Sequence, residues 1–321
     1  MKKFLFLLVL LHSAFAEDIF LDYYKNHGIN GIEPMFDMAL TQHEYWKDVT
    51  KKEDISLGYI EKYDSVLVCD KTSSTLSLYQ RDPNDKWKKI TTYNAFTGKN
   101  KGDKQNEGDL KTPVGIYQLV KKLSKVDSFY GPMAFVTSYP NLYDRYLGKD
   151  GHGIWIHGLP LNQERDEYTK GCIAIDNKNL YCLDKDINLD SSVLIIYEDF
   201  HSHQPIEKQT YNAILAQLYK WLYAWKYNQF DDYIAFYDKD FKRYDGKNYE
   251  EFKRYKKRIF GKNENKTINF TKINIIPYPG HPGVFQITFF EKYKSDSFRF
   301  AGNKELLVKY NNGKISIFSE K

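Results

Sequence analysis

The pattern of apolar and polar positions changes three times along the chain. Residues 17 to 58 carry apolar side chains at helical spacing. Ile19, Tyr23 and Tyr24 share one face, Met35, Met38 and Ala39 form a second short helix after Pro34, and Trp46 sits in a third, polar-rich turn. This piece is too small to enclose a core of its own, so it must pack on the next domain or on a partner chain. From 59 to 200 the period shortens to that of strands. Ser65–Asp70, Thr75–Gln80, Ile90–Thr97, Gly153–His157 and Val193–Tyr197 read as short β-segments between glycine-rich turns, with a long polar loop at 98–112. Many short strands of this kind predict a mainly-β domain with a closed or sandwiched sheet. His201 to Pro205 reads as a linker. Beyond it, Tyr211, Leu215, Leu218, Leu222 and Trp225 mark a helix over 206–227. Helices are also expected over 230–239 and 249–260, followed by four strands from 267 to 318. Helices first and antiparallel strands last predict an α+β domain over 205–321. The fold class is thus multidomain: a small helical N-terminal arm, a mainly-β domain and an α+β domain.

The N-terminus adds a compartment. Lys2 and Lys3 precede an unbroken apolar run from Phe4 to Leu11, and Ala14-Phe15-Ala16 is a small-residue cleavage signature. Residues 1–16 therefore read as a secretory signal peptide cut after Ala16, the run being too short to span a bilayer. An uncleaved anchor is the alternative reading, and no later segment is apolar enough to span. The formal charge of +5 falls to +3 once Lys2 and Lys3 are removed, which gives no reason to expect a nucleic-acid partner. The three cysteines, Cys69, Cys172 and Cys182, are an odd number for an exported chain. At least one must stay a thiol within the monomer. Cys69 and Cys182 fit apolar elements and read as buried small hydrophobes.

Cys172 differs, because it lies fifteen positions after His157 and each has a glycine beside it, Gly158 and Gly171. A thiol becomes a nucleophile when a base takes its proton, so the pair suggests acyl transfer with Cys172 as nucleophile and His157 as base. Gly171 lets the backbone turn tightly, and its amide and that of Cys172 are candidate oxyanion donors. No acid is near enough in sequence to orient the imidazole, which leaves a backbone carbonyl, that of Gly158, as candidate. Lys170, Trp155 and Thr169 are candidate substrate contacts. Two other readings stay open on spacing: a buried histidine with a buried core cysteine, and a zinc site drawing on His152, His157, Cys172 or His201 and His203. No CxxC or HxxxH spacing supports zinc, and neither metal nor cofactor is expected.

The segments His157-Gly158 and Thr169-Lys170-Gly171-Cys172-Ile173-Ala174-Ile175, with the turn Thr112-Pro113-Val114-Gly115-Ile116-Tyr117, resemble the YkuD family of L,D-transpeptidases. The resemblance covers about 60 to 198. It implies a β-sandwich-like catalytic domain and a peptidoglycan stem peptide cut at an L-to-D bond. One departure is clear: the family usually has a second histidine where this chain has Lys170. Residues 205–321 resemble an NTF2-like domain. The three parts together, 17–58, 59–200 and 205–321, resemble the cell-shape-determining L,D-carboxypeptidases of helical Gram-negative bacteria, which trim tetrapeptide stems in the periplasm. The resemblance implies peptidoglycan stem peptides as partners, and the N-terminal arm suggests a homodimer. Cross-linking by the same acyl-enzyme is the near alternative, and a wall-binding scaffold with a degenerate site is the distant one.

Overall fold

The computed structural model describes residues 15–164 and 166–321, with side chains from residue 21. The expected signal peptide lies, up to residue 14, outside the described residues. Helix α1 (Phe15–Leu40) breaks at Gly28, whose φ of 64° and ψ of −170° are not helical, and continues through Pro34. The break therefore falls six residues earlier than the proline suggested. It is followed by α2 (His43–Val49) and a single 3₁₀ turn.

Eight strands then close into a barrel: β2 (Ser65–Asp70), β3 (Thr75–Arg81), β4 (Trp87–Phe96), β5 (Gly115–Leu123), β6 (Ala134–Thr137), β7 (Trp155–His157), β8 (Ile173–Ile175) and β9 (Ser192–Tyr197). Their order around the barrel is β2-β3-β4-β8-β7-β6-β5-β9. Strand β2 is buried along its whole length, and the pleat explains how. Leu67 and Cys69 point into the barrel, where they meet Leu194 and Ile196 of β9. Val66 and Val68 point outward with Val193 and Ile195, against Ile276, Tyr278, Leu307 and Phe318 of the C-terminal domain. Both faces are covered, so the strand reads as a continuous apolar run rather than an alternation.

The C-terminal domain contains α5 (Lys208–Lys226), α6 (Phe230–Ile234), β10 (Tyr237–Arg243), α7 (Tyr249–Phe260), β11 (Lys266–Pro277), β12 (Val284–Ser295), β13 (Arg299–Asn311) and β14 (Lys314–Glu320). The short strand β1 (Tyr59–Ile60) joins this sheet beside β11, giving six strands in the order β1-β11-β12-β13-β14-β10. Residues 59–60 thus pair with the C-terminal sheet, although the sequence placed them at the start of the barrel domain. The helix expected over 230–239 is also corrected: α6 stops at Ile234, and Tyr237 begins a strand that pairs in parallel with β14. Tyr237 and Phe241 are both buried, and a spacing of four suits a strand as well as a helix.

The arm packs on the C-terminal domain. Trp46 enters its core, Thr50 Oγ1 donates to Asn212 Oδ1 at 2.6 Å, and Lys226 pairs with Glu33 and Asp37. The arm was expected on the next domain in the chain or on a partner; the structure instead packs it on the C-terminal domain, because Trp46 fits between the helix at 208–226 and its sheet. Among the described residues no helix is long and apolar enough to cross a membrane.

Candidate active site

The ladder between β7 and β8 brings the two chemical residues together. The strands run parallel with Ile156 opposite Ile173 and His157 opposite Ala174. Paired residues of a parallel ladder point to the same face, and neighbours along a strand alternate. Ile156, Ile173 and Ile175 therefore fill the barrel interior, each fully buried. His157 and Trp155 take the other face, and Cys172, one residue before β8, continues it. His157 and Cys172 both line one cavity of about 520 Å³.

His157 is almost fully buried, and its Nδ1 lies 2.7 Å from the Gly158 carbonyl oxygen. A carbonyl only accepts, so Nδ1 carries the proton and Nε2 keeps the lone pair that a base requires. The Tyr130 ring stands edge-on to the imidazole, centroids 5.0 Å apart. Gly158 donates its amide to the Tyr130 carbonyl at 2.9 Å. A Cβ on Gly158 would lie 2.1 Å from Asn177 Oδ1 and 2.9 Å from the Pro132 ring, so only glycine fits this approach. Asn177 opens helix α4 (Asn177–Asp186) and clamps the chain after Gly158. Its Oδ1 accepts from Leu159 N at 2.8 Å and its Nδ2 donates to Leu159 O at 3.0 Å.

Cys172 is half-buried, and its thiol donates to the Gly153 carbonyl at 3.4 Å. The turn before it is held by Thr169, whose hydroxyl donates to Cys172 O at 2.6 Å and accepts from Gly171 N at 3.0 Å. The Thr169 backbone bonds to Thr97 and Lys99. Gly171 has a φ of 139°, and a Cβ there would press on the Lys111 carbonyl at 2.9 Å. Lys111 leads into the Thr112-Pro113 turn, where Thr112 Oγ1 accepts from Gly98 N at 2.8 Å. The two motifs quoted from the sequence, far apart in the chain, are thus packed against each other.

The Gly171 amide donates to Thr169 Oγ1 at 3.0 Å, back into its own loop. The Thr169 hydroxyl is likewise bonded to the backbone and braces the turn before Cys172. Trp155 is not among the described residues lining the cavity, and its ring packs 5.2 Å from that of Tyr130. Lys170 is exposed at the cavity wall. Cys69 is buried, and burial pushes its thiol up to about 12. Cys182 is exposed, against expectation, because Leu180 and Leu183 take the inner face of α4. His152 faces Glu107 at 3.9 Å, while His203 packs on Tyr197 in the linker. Among the described residues no three His, Cys, Asp or Glu side chains are placed to hold a metal.

The sequence did not point to Phe129, Tyr130, Glu164, Asp166 or Tyr168, which complete the cavity wall. Phe129 and Tyr130 lie in a 3₁₀ turn capped by Asp127, a segment with no periodic signal.

A small closed barrel with a thiol and an oriented imidazole lining one cavity is an arrangement able to carry cysteine acyl transfer. The family description "YkuD: L,D-transpeptidase catalytic domain" matches residues 64–195, and "Cds6 C-terminal NTF2-like domain" matches 213–321. The chain belongs to the family in which these two domains are joined, that of the helical cell shape determining protein Pgp2 from Campylobacter jejuni. Identity to Pgp2 is 38% over 88% of this chain and 99% of that one, with a TM-score of 0.79. Bd1075 of Bdellovibrio bacteriovorus is similar at 28% identity, covering 83% of this chain and 95% of its own, with a TM-score of 0.66. Among curated proteins, the putative L,D-transpeptidase YafK of Escherichia coli is 37% identical over 79 residues. That match spans 25% of this chain and 29% of the length of YafK.

Proposed function

We propose that the protein is a periplasmic L,D-carboxypeptidase that removes the terminal D-Ala from peptidoglycan stem tetrapeptides. The observation that carries this reading is the shared cavity of Cys172 and His157, with the imidazole held as the Nδ1–H tautomer by Gly158. His157 Nε2 takes the thiol proton, and the Cys172 thiolate attacks the carbonyl between the L-centre of the diamino acid and D-Ala. The Cys172 amide, covalently next to the attacking sulfur, is the donor proposed for the oxyanion. Collapse breaks the C–N bond, His157 returns its proton to the amine, and D-Ala leaves. Water then adds to the thioester with His157 again as base, releasing the tripeptide and restoring the thiol. Lys170, at the cavity wall, is the proposed contact for the D-Ala carboxylate. Support for trimming over cross-linking comes from the architecture, which resembles that of cell-shape-determining carboxypeptidases.

A second reading, L,D-transpeptidation, has its own observation. Glu164 and Asp166 line the same cavity and would attract an acceptor ammonium. Incubation of purified protein with disaccharide tetrapeptide separates the two. Tripeptide without dimer supports the carboxypeptidase, whereas cross-linked dimer as main product overturns it. A Cys172→Ala variant that kept full activity would refute the nucleophile assignment.

A further inference from the structure

A second cavity, of about 320 Å³, opens between the barrel and the C-terminal sheet, away from Cys172. Its cations come from both domains: Lys62 from the segment leading into the barrel, Arg145 from the barrel's helix at 142–146, and Lys272, Lys304 and Lys321 from the C-terminal domain. Among the described residues none of these five forms an ion pair, although Lys304 acts on Glu291 at longer range. Asp190 acts on Lys62 only at longer range. The carboxyl group in the lining, Glu305, accepts from Gln286 at 2.7 Å; burial raises its pKa, and the charges of Lys321 and Arg145 act in the opposite direction.

The two lysines are brought together by construction. Strand β11 slips register between Thr271 and Asn274, and Lys272 adopts a φ of 56°, a left-handed conformation unusual for lysine. Asn274, almost fully buried, fixes this bulge. Its Nδ2 donates to Lys272 O at 3.1 Å and to Thr288 Oγ1 at 2.9 Å, while its Oδ1 accepts from Lys62 N at 3.0 Å. Burial and the nearby Lys272 charge lower the pKa of Lys62. Backbone strain and like-charge repulsion, held in place by a buried amide, are the marks of a site that awaits an opposite charge.

We propose that this interdomain cleft is an oxyanion-binding site for a carboxylate or phosphate group, distinct from the acyl-transfer cavity. Ser138, Thr288 and Asn303 supply neutral hydrogen-bonding groups around the cations. The volume fits a single sugar or a short peptide, not a large cofactor. For a wall enzyme, the source is a carboxylate of a peptidoglycan strand; that part rests on the proposed function, whereas the oxyanion chemistry does not.

Calorimetric titration of the full chain tests the site, with inorganic phosphate in one arm and disaccharide tetrapeptide in the other. The chain carries Cys172→Ala to prevent turnover. The Lys272→Gly variant removes the cation while suiting the left-handed backbone, so it is expected to fold at least as stably as its parent. Phosphate affinity is expected to fall about tenfold in Lys272→Gly, and further in Lys62→Gln/Lys272→Gly. Phosphate binding with no Lys272-dependent tetrapeptide binding supports the site and assigns it a phosphate source. Parallel loss of both ligands assigns it the wall carboxylate. No saturable binding of phosphate or tetrapeptide, or equal affinities in parent and variants, overturns the proposal. Tripeptide release by the otherwise wild-type enzyme tests the catalytic reading separately.

Discussion

Replacing Lys149 by methionine tests how the loop at 98–112 is held against the barrel. The Lys149 side chain is 1% exposed, and its Nζ lies 2.5 Å from Asp103 Oδ2 and 2.9 Å from Asp144 Oδ1. Asp144 has no exposed surface and also accepts from Asn141 N at 3.0 Å and Tyr117 Oη at 3.1 Å. Asp103 in turn accepts from Val114 N at 2.8 Å, beside the Thr112-Pro113 turn that backs Gly171. Methionine keeps the apolar stem but strands the Asp144 carboxylate. Breaking a buried pair typically costs about 3–5 kcal/mol, and the two remaining donors place this case near the lower end. At about 3 kcal/mol the melting temperature should fall by roughly 6–12 °C, read by calorimetry of the full chain. Lys149→Met/Asp144→Asn removes both charges and should recover about half of the loss. A single variant melting within about 2 °C of wild type, or a double variant no better than the single, would refute the reasoning.

Thr169→Val removes both hydroxyl bonds that brace the nucleophile's turn. At about 1 kcal/mol each, kcat should fall roughly tenfold or more with little change in KM, and an unchanged kcat would mean the brace is idle. Gly158→Ala pushes a methyl into Asn177 Oδ1 and should lower both melting temperature and tripeptide release, whereas wild-type values would show that the clamp yields freely. Burial alone would raise the Asp109 pKa, but bonds from Lys104, Gln105 N, Lys111 N and Asn106 N outweigh it and leave it well below the usual range. Its stabilisation is therefore present above the unfolded pKa near 3.9 and lost as pH falls towards the folded value. Asp109→Asn should be less stable at pH 6 and lose less stability on acidification than wild type. Parallel melting curves from pH 6 to pH 2 would contradict that. Burial lowers the Lys256 pKa to about 8, so the unfolded chain binds the extra proton above that pH. Stability should rise from pH 8 towards 10, and Lys256→Met should flatten the rise.

Much of the site was legible because its chemistry is local in sequence. His157 and Gly158 are adjacent, as are Gly171 and Cys172, and a strand-end histidine followed by glycine leaves only a backbone carbonyl to orient the ring. The bonding of Gly171 was less legible: its amide turns back to Thr169, a fact set by a φ of 139° against Lys111 and not by residue type. Tyr130 and Asn177 were missed for a related reason. Tyr130 lies on no periodic stretch and Asn177 is the polar first residue of α4, and each acquires its role only when the fold sets it against His157 and Gly158.

The sequence by itself determined the division into arm, barrel and α+β domain and five of the eight barrel strands, and it made Cys172 and His157 candidates, because each rests on local periodicity or on a few neighbouring residues. The tertiary structure decided the rest. Parallel pairing with β14 turned Tyr237–Arg243 into a strand, since a spacing of four fits both periods until a partner is present. The β11 ladder drew Tyr59 and Ile60 away from the barrel. The ladder between β7 and β8 put Cys172 and His157 on one face, because only pairing across strands fixes which side chains meet.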